Sequence, residues 1–427
     1  MTLIKNIKQL VGVREETKLL RGKELAVLPG IENAYLIIED GIISSFGEMK
    51  DLKASTFHIL PGSPFGQHSI DAAGQFVLPA WCDSHTHLIF AASREDEFVD
   101  KINGLSYAEI AAKGGGILNS AAKLNAMSED GLFNLAWKRL EEVSKLGTGA
   151  IEIKSGYGLS TAGELKMLRV IKKLKEKSTI TIKSTFLGAH TYPLEYKDNH
   201  RGYIDLLINE MLPVIAKEKL ADYIDVFCEA GFFSPEETET ICKAGMRYGL
   251  KPKIHVNQLN SIGGIEMGLK LNAISLDHLE VMTDEDIRMF AKAPPFGGGL
   301  EGATIGTLLP TAAFFLRMPY QPARQLVDAG CAIALASDYN PGSSPSGNMN
   351  LVIAMSCIQM KMLPEEAINA ATVNGAYAME LQNELGSITV GKKANLIFTK
   401  PIPSLAYIPY SFGNNLIDSV MVNGELI

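Results

Sequence analysis

The length and composition are those of a globular protein and argue against several classes of protein. The chain has 427 residues, 46% of them hydrophobic, and a formal net charge of −8 at pH 7. This length accommodates a large domain with a smaller one. The acidic balance, without a cluster of Lys or Arg, argues against a nucleic-acid partner. No apolar run reaches the ~18 residues that a membrane span requires. The first residues do not resemble a signal peptide, and the five scattered cysteines favour a reducing compartment, so a cytoplasmic location is expected.

Short β-strands are predicted at both ends of the chain. The segment Glu39-Asp40-Gly41 marks a hairpin between two apolar runs, and Asn423-Gly424 marks another near the C-terminus. The middle of the chain does not show this pattern of short strands joined by turns alone. We therefore predict a small β-sandwich domain formed by residues 1–75 and 380–427, with a larger domain of residues 76–379 inserted between its halves.

The inserted region alternates between short apolar runs and longer helical patterns. Several helical patterns begin with Ser or Thr followed by acidic residues, which is typical of helix N-termini. This alternation predicts an α/β fold with a (β/α)₈ TIM-type barrel, and a doubly wound open sheet is the alternative. The eight predicted strands are FVLPAWC (76–82), GAIEIKSG (149–156), TIKSTFLGAH (181–190), DYIDVFCEAG (222–231), KPKIHVN (251–257), AISLDHL (273–279), EGATIGTLLP (301–310) and CAIALASDYN (331–340).

The most informative motif follows the first of these strands. His85 and His87 are two residues apart, and in an extended chain such residues point to the same side. The two imidazoles could therefore bind one metal ion together. Such a pair is only half of a metal site, and two ordinary polar residues at a strand end are the alternative interpretation.

The remaining ligands are expected at the ends of other strands, because the chemistry of a barrel lies where its strands end. Five of the eight histidines fall there, together with Lys154, Glu229 and Asp338. Three histidines and one carboxylate suit a single zinc or iron ion. The predicted ligands are His85, His87, His255 and Asp338.

Asp338 and His278 are the predicted catalytic residues. Asp338 could contact the metal and also accept a proton from water, and His278 could polarise the substrate. A hydrogen-bonded core histidine next to Asp277 is the alternative for His278. A modified lysine can bridge two metals in such barrels. Here Lys154 follows strand 2 and not strand 4, where Glu229 stands instead, so we predict one metal, with Lys154 as a structural or electrostatic residue.

Substrate recognition is predicted from the loops above the metal. Arg94 lies seven residues after His87, where its guanidinium could bind a carboxylate in a bidentate manner. A salt bridge from Arg94 to Glu95 or Glu97 is the alternative. Tyr107 and Tyr157 could donate hydrogen bonds to a polar substrate, although packing roles explain either tyrosine equally well.

A set of motifs resembles the imidazolonepropionases of the amidohydrolase superfamily. The motifs are DSHTHLIF, IKSGYGL, FLGAH, IHVNQ, SLDHLE and SDYNPGSSPSGNM, and the similarity runs from about residue 75 to 380. The resemblance implies hydrolysis of 4-imidazolone-5-propanoate to N-formimidoyl-L-glutamate in histidine degradation, with metal-activated water attacking the ring carbonyl carbon. It implies one Zn²⁺ or Fe²⁺/Fe³⁺ ion on the ligands named above, a small carboxylate-bearing substrate and a homodimer. The substrate contacts that it implies are Arg94, Tyr107, Tyr157, His190, Gln258, Asn340, Gly342 and Ser343.

The sequence departs from the family at one position that bears on chemistry. Some members have a glutamate where this chain has Gln258, and an amide is not a general base. Proton transfer would then fall to Asp338 or His278, and Gln258 would orient the substrate. Two other functions stay open: another cyclic amidohydrolase or heterocycle deaminase, and a non-catalytic barrel scaffold. The presence of all four predicted ligands argues against the scaffold.

Overall fold

The protein contains two eight-stranded sheets, one closed into a barrel and one mixed. The structure is a computed structural model that describes residues 1–52, 68–105, 109, 113, 115–292 and 303–427. Within these residues no helix is both long enough and apolar enough to cross a membrane.

The barrel consists of eight parallel strands that neighbour one another in chain order, so the predicted barrel is confirmed. Its two end strands meet where the peptide N–H of Asp338 donates to the carbonyl oxygen of His85 at 3.0 Å. Each of the eight predicted runs overlaps one of its strands, including the weakly patterned seventh. The strands are β6 (Trp81–Thr86), β7 (Thr148–Lys154), β8 (Thr181–Ala189), β9 (Tyr223–Cys228), β10 (Lys251–Val256), β11 (Ser275–His278), β12 (Ile305–Leu308) and β13 (Ile333–Leu335).

Helices follow most of the barrel strands, and the predicted caps form. Ser128, Ser160, Ser234 and Thr283 each accept a hydrogen bond from a backbone N–H of the first helical turn. The described α-helices are α1 (Glu95–Ile102), α2 (Gly116–Ala126), α3 (Glu129–Lys145), α4 (Thr161–Lys177), α5 (His200–Leu206), α6 (Leu212–Glu218), α7 (Pro235–Met246), α8 (Gly264–Lys270), α9 (Asp284–Ala291), α10 (Pro310–Leu316), α11 (Ala323–Asp328), α12 (Met349–Ile358), α13 (Pro364–Ala371), α14 (Val373–Ala378) and α15 (Tyr407–Tyr410).

The second sheet combines strands from both ends of the chain and has its own core. Both predicted hairpin turns form, and Asp40, Gly41, Asn423 and Gly424 all have positive φ. The expected sandwich is one continuous hydrogen-bonded sheet in the order β16-β15-β14-β5-β1-β2-β3, with β4 also paired to β1. Its strands are β1 (Thr2–Val11), β2 (Gly30–Glu39), β3 (Ile42–Glu48), β4 (His68–Asp71), β5 (Phe76–Pro79), β14 (Leu396–Thr399), β15 (Ile417–Val422) and β16 (Glu425–Leu426).

The two sheets are joined directly ahead of the H-x-H motif. The predicted strand at residues 76–82 is two strands: β5 pairs with β1 and β14 in the mixed sheet, and β6 begins at Trp81 in the barrel. The N–H of Ala80 between them donates to the carbonyl oxygen of Asn395 at 2.9 Å. The start of β6 is therefore held from both sides, which gives the motif a rigid base.

Candidate metal centre

Three histidine rings meet at the carboxyl ends of the barrel strands. The ring centroid of His85 lies 5.3 Å from that of His87 and 4.5 Å from that of His255. All three side chains are at most 3% exposed. Because β6 and β10 are parallel strands of one barrel, their ends bring the H-x-H pair and His255 to the same rim.

Asp338 and His278 complete this cluster. Oδ1 of Asp338 lies 3.5 Å from Nε2 of His85 and 3.5 Å from Nε2 of His87. Among the described residues, two overlapping groups have ligand atoms close enough to hold one metal ion, and His85 belongs to both. The groups are His85, His255 and His278, and His85, His87 and Asp338.

Within the described part of the chain, the three histidine rings have nitrogen atoms without hydrogen-bond partners, as a metal site requires. Nε2 of His85 and both ring nitrogens of His255 are buried and have no hydrogen-bond partner among the described residues, and neither has Nδ1 of His87, whose Nε2 faces Asp338. A buried polar atom without a partner is costly, and a bound cation would remove that cost. Burial lowers the pKa of all three histidines, which favours the neutral, ligating form of each ring.

Carboxylates hold the opposite edge of the rings. Oδ2 of Asp277 accepts a hydrogen bond from Nδ1 of His85 at 2.7 Å, and Oδ2 of Asp225 lies 2.9 Å from Nδ1 of His255. A carboxylate at Nδ1 leaves the Nε2 lone pair of the same ring free for a metal. His278 has the equivalent partner in Glu280, whose Oε1 lies 3.2 Å from Nδ1 of the ring.

The backbone leaves the extended conformation at both predicted catalytic residues. The φ angle is +88° at His278 and +52° at Asp338, a region that residues other than glycine rarely adopt. Adjacent residues of a regular strand point to opposite faces. The turn at His278 explains how Asp277 and His278 both approach His85.

The loop after Asp338 is organised by Asn340. Its amide nitrogen donates to the carbonyl oxygen of Asp338 and to Oγ of Ser343, both at 2.7 Å. Its amide oxygen accepts from the N–H groups of Gly342 and Ser343, both at 2.8 Å. These contacts use the whole hydrogen-bonding capacity of the amide. Oγ of Ser343 also lies within hydrogen-bonding distance, 3.2 Å, of Oδ2 of Asp338.

Arg94 stands at the edge of this loop. It forms an ion pair with Glu97 through Nε and Nη2, and Nε lies 2.9 Å from Oε2 of the carboxylate. The other terminal nitrogen, Nη1, faces Gly342 so closely that a Cβ at that position would overlap it. Arg94 thus has the salt bridge of the alternative interpretation while one edge of its guanidinium points to the loop beside Asp338.

Tyr157 and His190 form the opposite wall. The His190 ring stacks on His87 with centroids 5.3 Å apart, and its centroid lies 5.5 Å from that of Tyr157. Burial lowers the pKa of His190 to about 4, and burial together with Asp338 raises that of Tyr157. Gln258 is also buried, but Tyr107 lies outside the described residues.

Two carboxylates that the sequence did not single out as active-site anchors hold the loops of this wall. Glu164 accepts hydrogen bonds from the N–H groups of Gly156, Gly158 and Leu159 at 2.7–3.1 Å, which encloses Tyr157. Glu229, expected at the rim, accepts from the N–H groups of Leu259 and Asn260 at 2.8 and 3.2 Å and so positions the loop carrying Gln258. A buried glutamate in the first turn of α4 offers little signal, because acidic residues are common at helix N-termini.

A group of buried carboxylates surrounds Lys154, the residue predicted to have a structural or electrostatic role. Lys154 lies between Glu152, Asp225 and Asp277, and Lys253 contacts Glu152, with every side chain 0% exposed. Burial alone would lower the pKa of Lys154, but the surrounding carboxylates outweigh it and raise that pKa. The sequence does indicate buried ion pairs here, since charged residues inside apolar strands such as GAIEIKSG are uncommon unless they are paired.

Comparison with known proteins agrees with this geometry. The Amidohydrolase family model matches residues 76–427. The chain is 58% identical to an imidazolonepropionase of Flavobacterium johnsoniae and 55% identical to one of Christiangramia forsetii, over at least 99% of each chain. The chain belongs to the imidazolonepropionase family of amidohydrolases.

Solved structures of low sequence identity share the fold. An adenosine deaminase of Xanthomonas campestris with bound zinc matches with a TM-score of 0.71 and 14% identity, covering 100% of this chain and 92% of that one. A zinc-bound atrazine chlorohydrolase of Arthrobacter aurescens matches with a TM-score of 0.67 and 15% identity, covering 100% and 95%. The names of these two proteins denote different activities, so the shared fold alone does not identify a substrate.

Proposed function

We propose that this protein hydrolyses 4-imidazolone-5-propanoate to N-formimidoyl-L-glutamate, with one divalent metal ion at the rim of its barrel. The observation that carries the proposal is the buried His/Asp group with unpartnered ring nitrogens, in a chain 58% identical to an imidazolonepropionase over its full length. Neighbouring cyclic amidohydrolase and deaminase activities would use a similar metal group. The arginine beside Asp338 favours a substrate that bears a carboxylate.

The proposed metal ligands are His85, His87, His255 and Asp338. When bound, a zinc or iron ion supplies Lewis-acid chemistry, polarising a carbonyl group and making water acidic enough to react near neutral pH. Nitrogen and oxygen ligands of this kind suit both metals. Asp277 and Asp225 keep the rings of His85 and His255 in the orientation that leaves Nε2 available.

Arg94 and Tyr157 orient the substrate in this proposal. The Nη1 edge of Arg94 binds the propionate carboxylate beside the Gly342 loop, and Glu97 holds the other edge of the guanidinium in place. Tyr157, His190 and Gln258 contact the ring or its arm from the opposite side. Because the Asn340 amide is fully used within its loop, Asn340 acts by placing Gly342 and Ser343 against the substrate.

Proton transfer is assigned to Asp338 and His278. Asp338 takes a proton at its carboxylate from the attacking water, and Ser343 holds Oδ2 of that carboxylate. His278, whose Nδ1 is held by Glu280, directs Nε2 to the oxygen of the attacked carbonyl and stabilises its developing negative charge. The proton then returns from Asp338 to the ring nitrogen that leaves. Gln258 has no part in proton transfer.

The test is turnover of 4-imidazolone-5-propanoate, made in place from urocanate by urocanase and followed by its ultraviolet decay above the spontaneous rate. We expect fast decay that chelation abolishes and that yields formimidoylglutamate. Absence of acceleration by a folded, metal-loaded protein would reject this substrate. Hydrolysis of other small cyclic amides with a carboxylate, or deamination of a heterocycle, would then be measured with the same preparation.

The proposal extends to the cell and to assembly. Histidine degradation by a chain with free cysteines is consistent with the cytoplasm, and the five cysteines form no disulfide in the structure. We propose a homodimer, which sedimentation at micromolar concentration would test.

A further inference from the structure

The buried charges beneath the metal centre converge on one ammonium group. Nζ of Lys154 lies 2.6 Å from Oε1 of Glu152, 2.9 Å from Oδ2 of Asp225 and 3.6 Å from Oδ2 of Asp277. These four side chains are 0% exposed. The ammonium group of Lys154 therefore has no contact with solvent and interacts with these carboxylates instead.

Two of those carboxylates are the ones that touch the histidine rings. The same Oδ2 atom of Asp277 that faces Lys154 accepts the hydrogen bond from His85. The same Oδ2 atom of Asp225 that faces Lys154 lies 2.9 Å from Nδ1 of His255. One ammonium group thus sits behind two ring partners that come from different strands.

We propose that Lys154 is a positioning residue for the metal centre: it holds Asp225 and Asp277 together so that each faces Nδ1 of a ligand histidine. The inference rests on the proposed metal site and deepens it. Asp225 and Asp277 are like-charged and buried, so without Lys154 they repel each other. Oδ1 of Asp277 has no hydrogen-bond partner among the described residues, so little else restrains this carboxylate. Asp225 has a second restraint, because its Oδ1 accepts a hydrogen bond from the backbone N–H of His255 at 3.1 Å. Rotation of Asp277 would release the ring of His85 that it orients.

Lys253 provides a matched comparison within the same network. Its Nζ lies 2.5 Å from Oε2 of Glu152 and donates to the carbonyl oxygens of Ala378 and Ser84 at 2.8 and 3.2 Å. Among the described residues, no hydrogen bond or ion pair of Lys253 reaches Asp225 or Asp277, and it acts on Asp225 only through longer-range electrostatics. Loss of its charge should therefore disturb the network without releasing the two ring partners.

The sign of the effect separates positioning from simple electrostatics. Removing a positive charge near a cation site would by itself tighten cation binding, since the remaining carboxylates attract the ion more strongly. Loss of ring orientation would weaken binding by about 10- to 100-fold, as for other partners of ligand histidines. Lys154→Met is expected to weaken binding, whereas Lys253→Met is expected to change it by less than about threefold.

The experiment measures the Zn²⁺ dissociation constant of the purified full chain by competition with a chromogenic chelator, and the visible spectrum of the Co²⁺-loaded protein. The control is Lys392, a buried lysine with no hydrogen bond or ion pair to Glu152, Asp225 or Asp277 among the described residues. Its Nζ donates to the carbonyl oxygen of Leu385 and to Oγ of Ser387, and Lys392→Met is expected to leave both readouts unchanged. A Co²⁺ spectrum altered only by Lys154→Met would show a changed ligand geometry, which a purely structural role would not produce.

The outcomes distinguish this inference from the proposed function. If the unsubstituted protein binds no stoichiometric metal, the proposed metal site fails. If it binds metal and Lys154→Met binds as tightly or more tightly, the positioning role is overturned. Should Lys154→Met fail to fold, Asp277→Ala keeps the ammonium group and removes the acceptor at Nδ1 of His85. That variant must also bind Zn²⁺ at least tenfold more weakly, and unchanged affinity would refute the inference equally.

Discussion

The contact between Gly342 and Arg94 provides a sharp test of substrate recognition. A Cβ built at Gly342 lies 3.2 Å from Cζ of Arg94 and closer still to Nη1. Ordinary van der Waals contact begins near 3.5 Å, so Gly342→Ala should displace the guanidinium by roughly 1 Å. Gly342 is not among the residues with positive φ, so its backbone accommodates alanine.

The displaced atoms are the end of a flexible side chain, so the fold should tolerate the change. We expect the free energy of unfolding to change by less than about 1 kcal/mol. Misplacement of a substrate-binding group by about 1 Å can cost roughly 100-fold in rate. Loss of a charge-assisted hydrogen bond of about 1.5–3 kcal/mol gives a similar figure. We therefore expect kcat/KM to fall 10- to 100-fold, mainly through KM.

A double-mutant cycle with Arg94→Ala identifies the cause. If alanine at position 342 acts by moving Arg94, it should have almost no further effect once the guanidinium is absent. Steady-state kinetics on the four proteins, with thermal unfolding as the control for stability, provide the measurement. Full additivity of the two substitutions, or an unchanged KM for Gly342→Ala, would refute the assignment of Arg94 as the carboxylate-binding residue.

Four further predictions concern the metal centre and its walls. Asp338→Asn should lower kcat by at least about 10³-fold in steady-state assays while the protein stays folded, and near-normal turnover would remove its proton-transfer role. Removal of metal should lower the unfolding temperature, since a ligand at one hundred times its Kd stabilises by about 2.7 kcal/mol; calorimetry with and without chelator tests this. Gln258→Ala should raise KM about tenfold without changing the pH profile, and loss or displacement of the acidic limb of that profile would contradict a purely orienting role. Glu164→Ala leaves three buried N–H groups without their acceptor, so it should lower the free energy of unfolding by at least about 2 kcal/mol and raise KM. An unchanged free energy of unfolding in a denaturant titration would argue against this role.

The barrel was predictable because each of its strands is a short apolar run between helices. The periodicity of 76–82 did not reveal that this run serves two sheets, since Phe76–Pro79 and Trp81–Thr86 are both buried on every residue. Hydrophobicity reports burial, and only the pairing with β1 and β14 assigns the first half to the mixed sheet.

The metal-binding cluster was predictable for a related reason. The H-x-H pair, His255 and Asp338 each end a strand, and parallel strands of a barrel bring their ends to one rim. The partners of the rings were harder to predict, because Asp225 and Asp277 come from different strands and their pairing with His255 and His85 depends on the closure of the barrel. Asp277 was considered only as a neighbour of His278, and the left-handed backbone at His278 brings both to the site.

The salt bridge of Arg94 shows where sequence spacing leaves two interpretations open. A glutamate three residues along a helix predicts an ion pair, and Glu97 forms it. The same guanidinium approaches Gly342, some 250 residues away in the chain, and no local pattern indicates that contact. The ion pair with Glu97 and the approach to Gly342 therefore involve different edges of one guanidinium group.

The central claim is that one metal ion in this His/Asp cluster supports hydrolysis of 4-imidazolone-5-propanoate. Its most direct test is a titration of the chelated protein with Zn²⁺ or Fe²⁺ while turnover is recorded. The account predicts that activity rises linearly and reaches a plateau at one equivalent per chain. A plateau at two equivalents would contradict the single site, and turnover that persists without metal would contradict the claim itself.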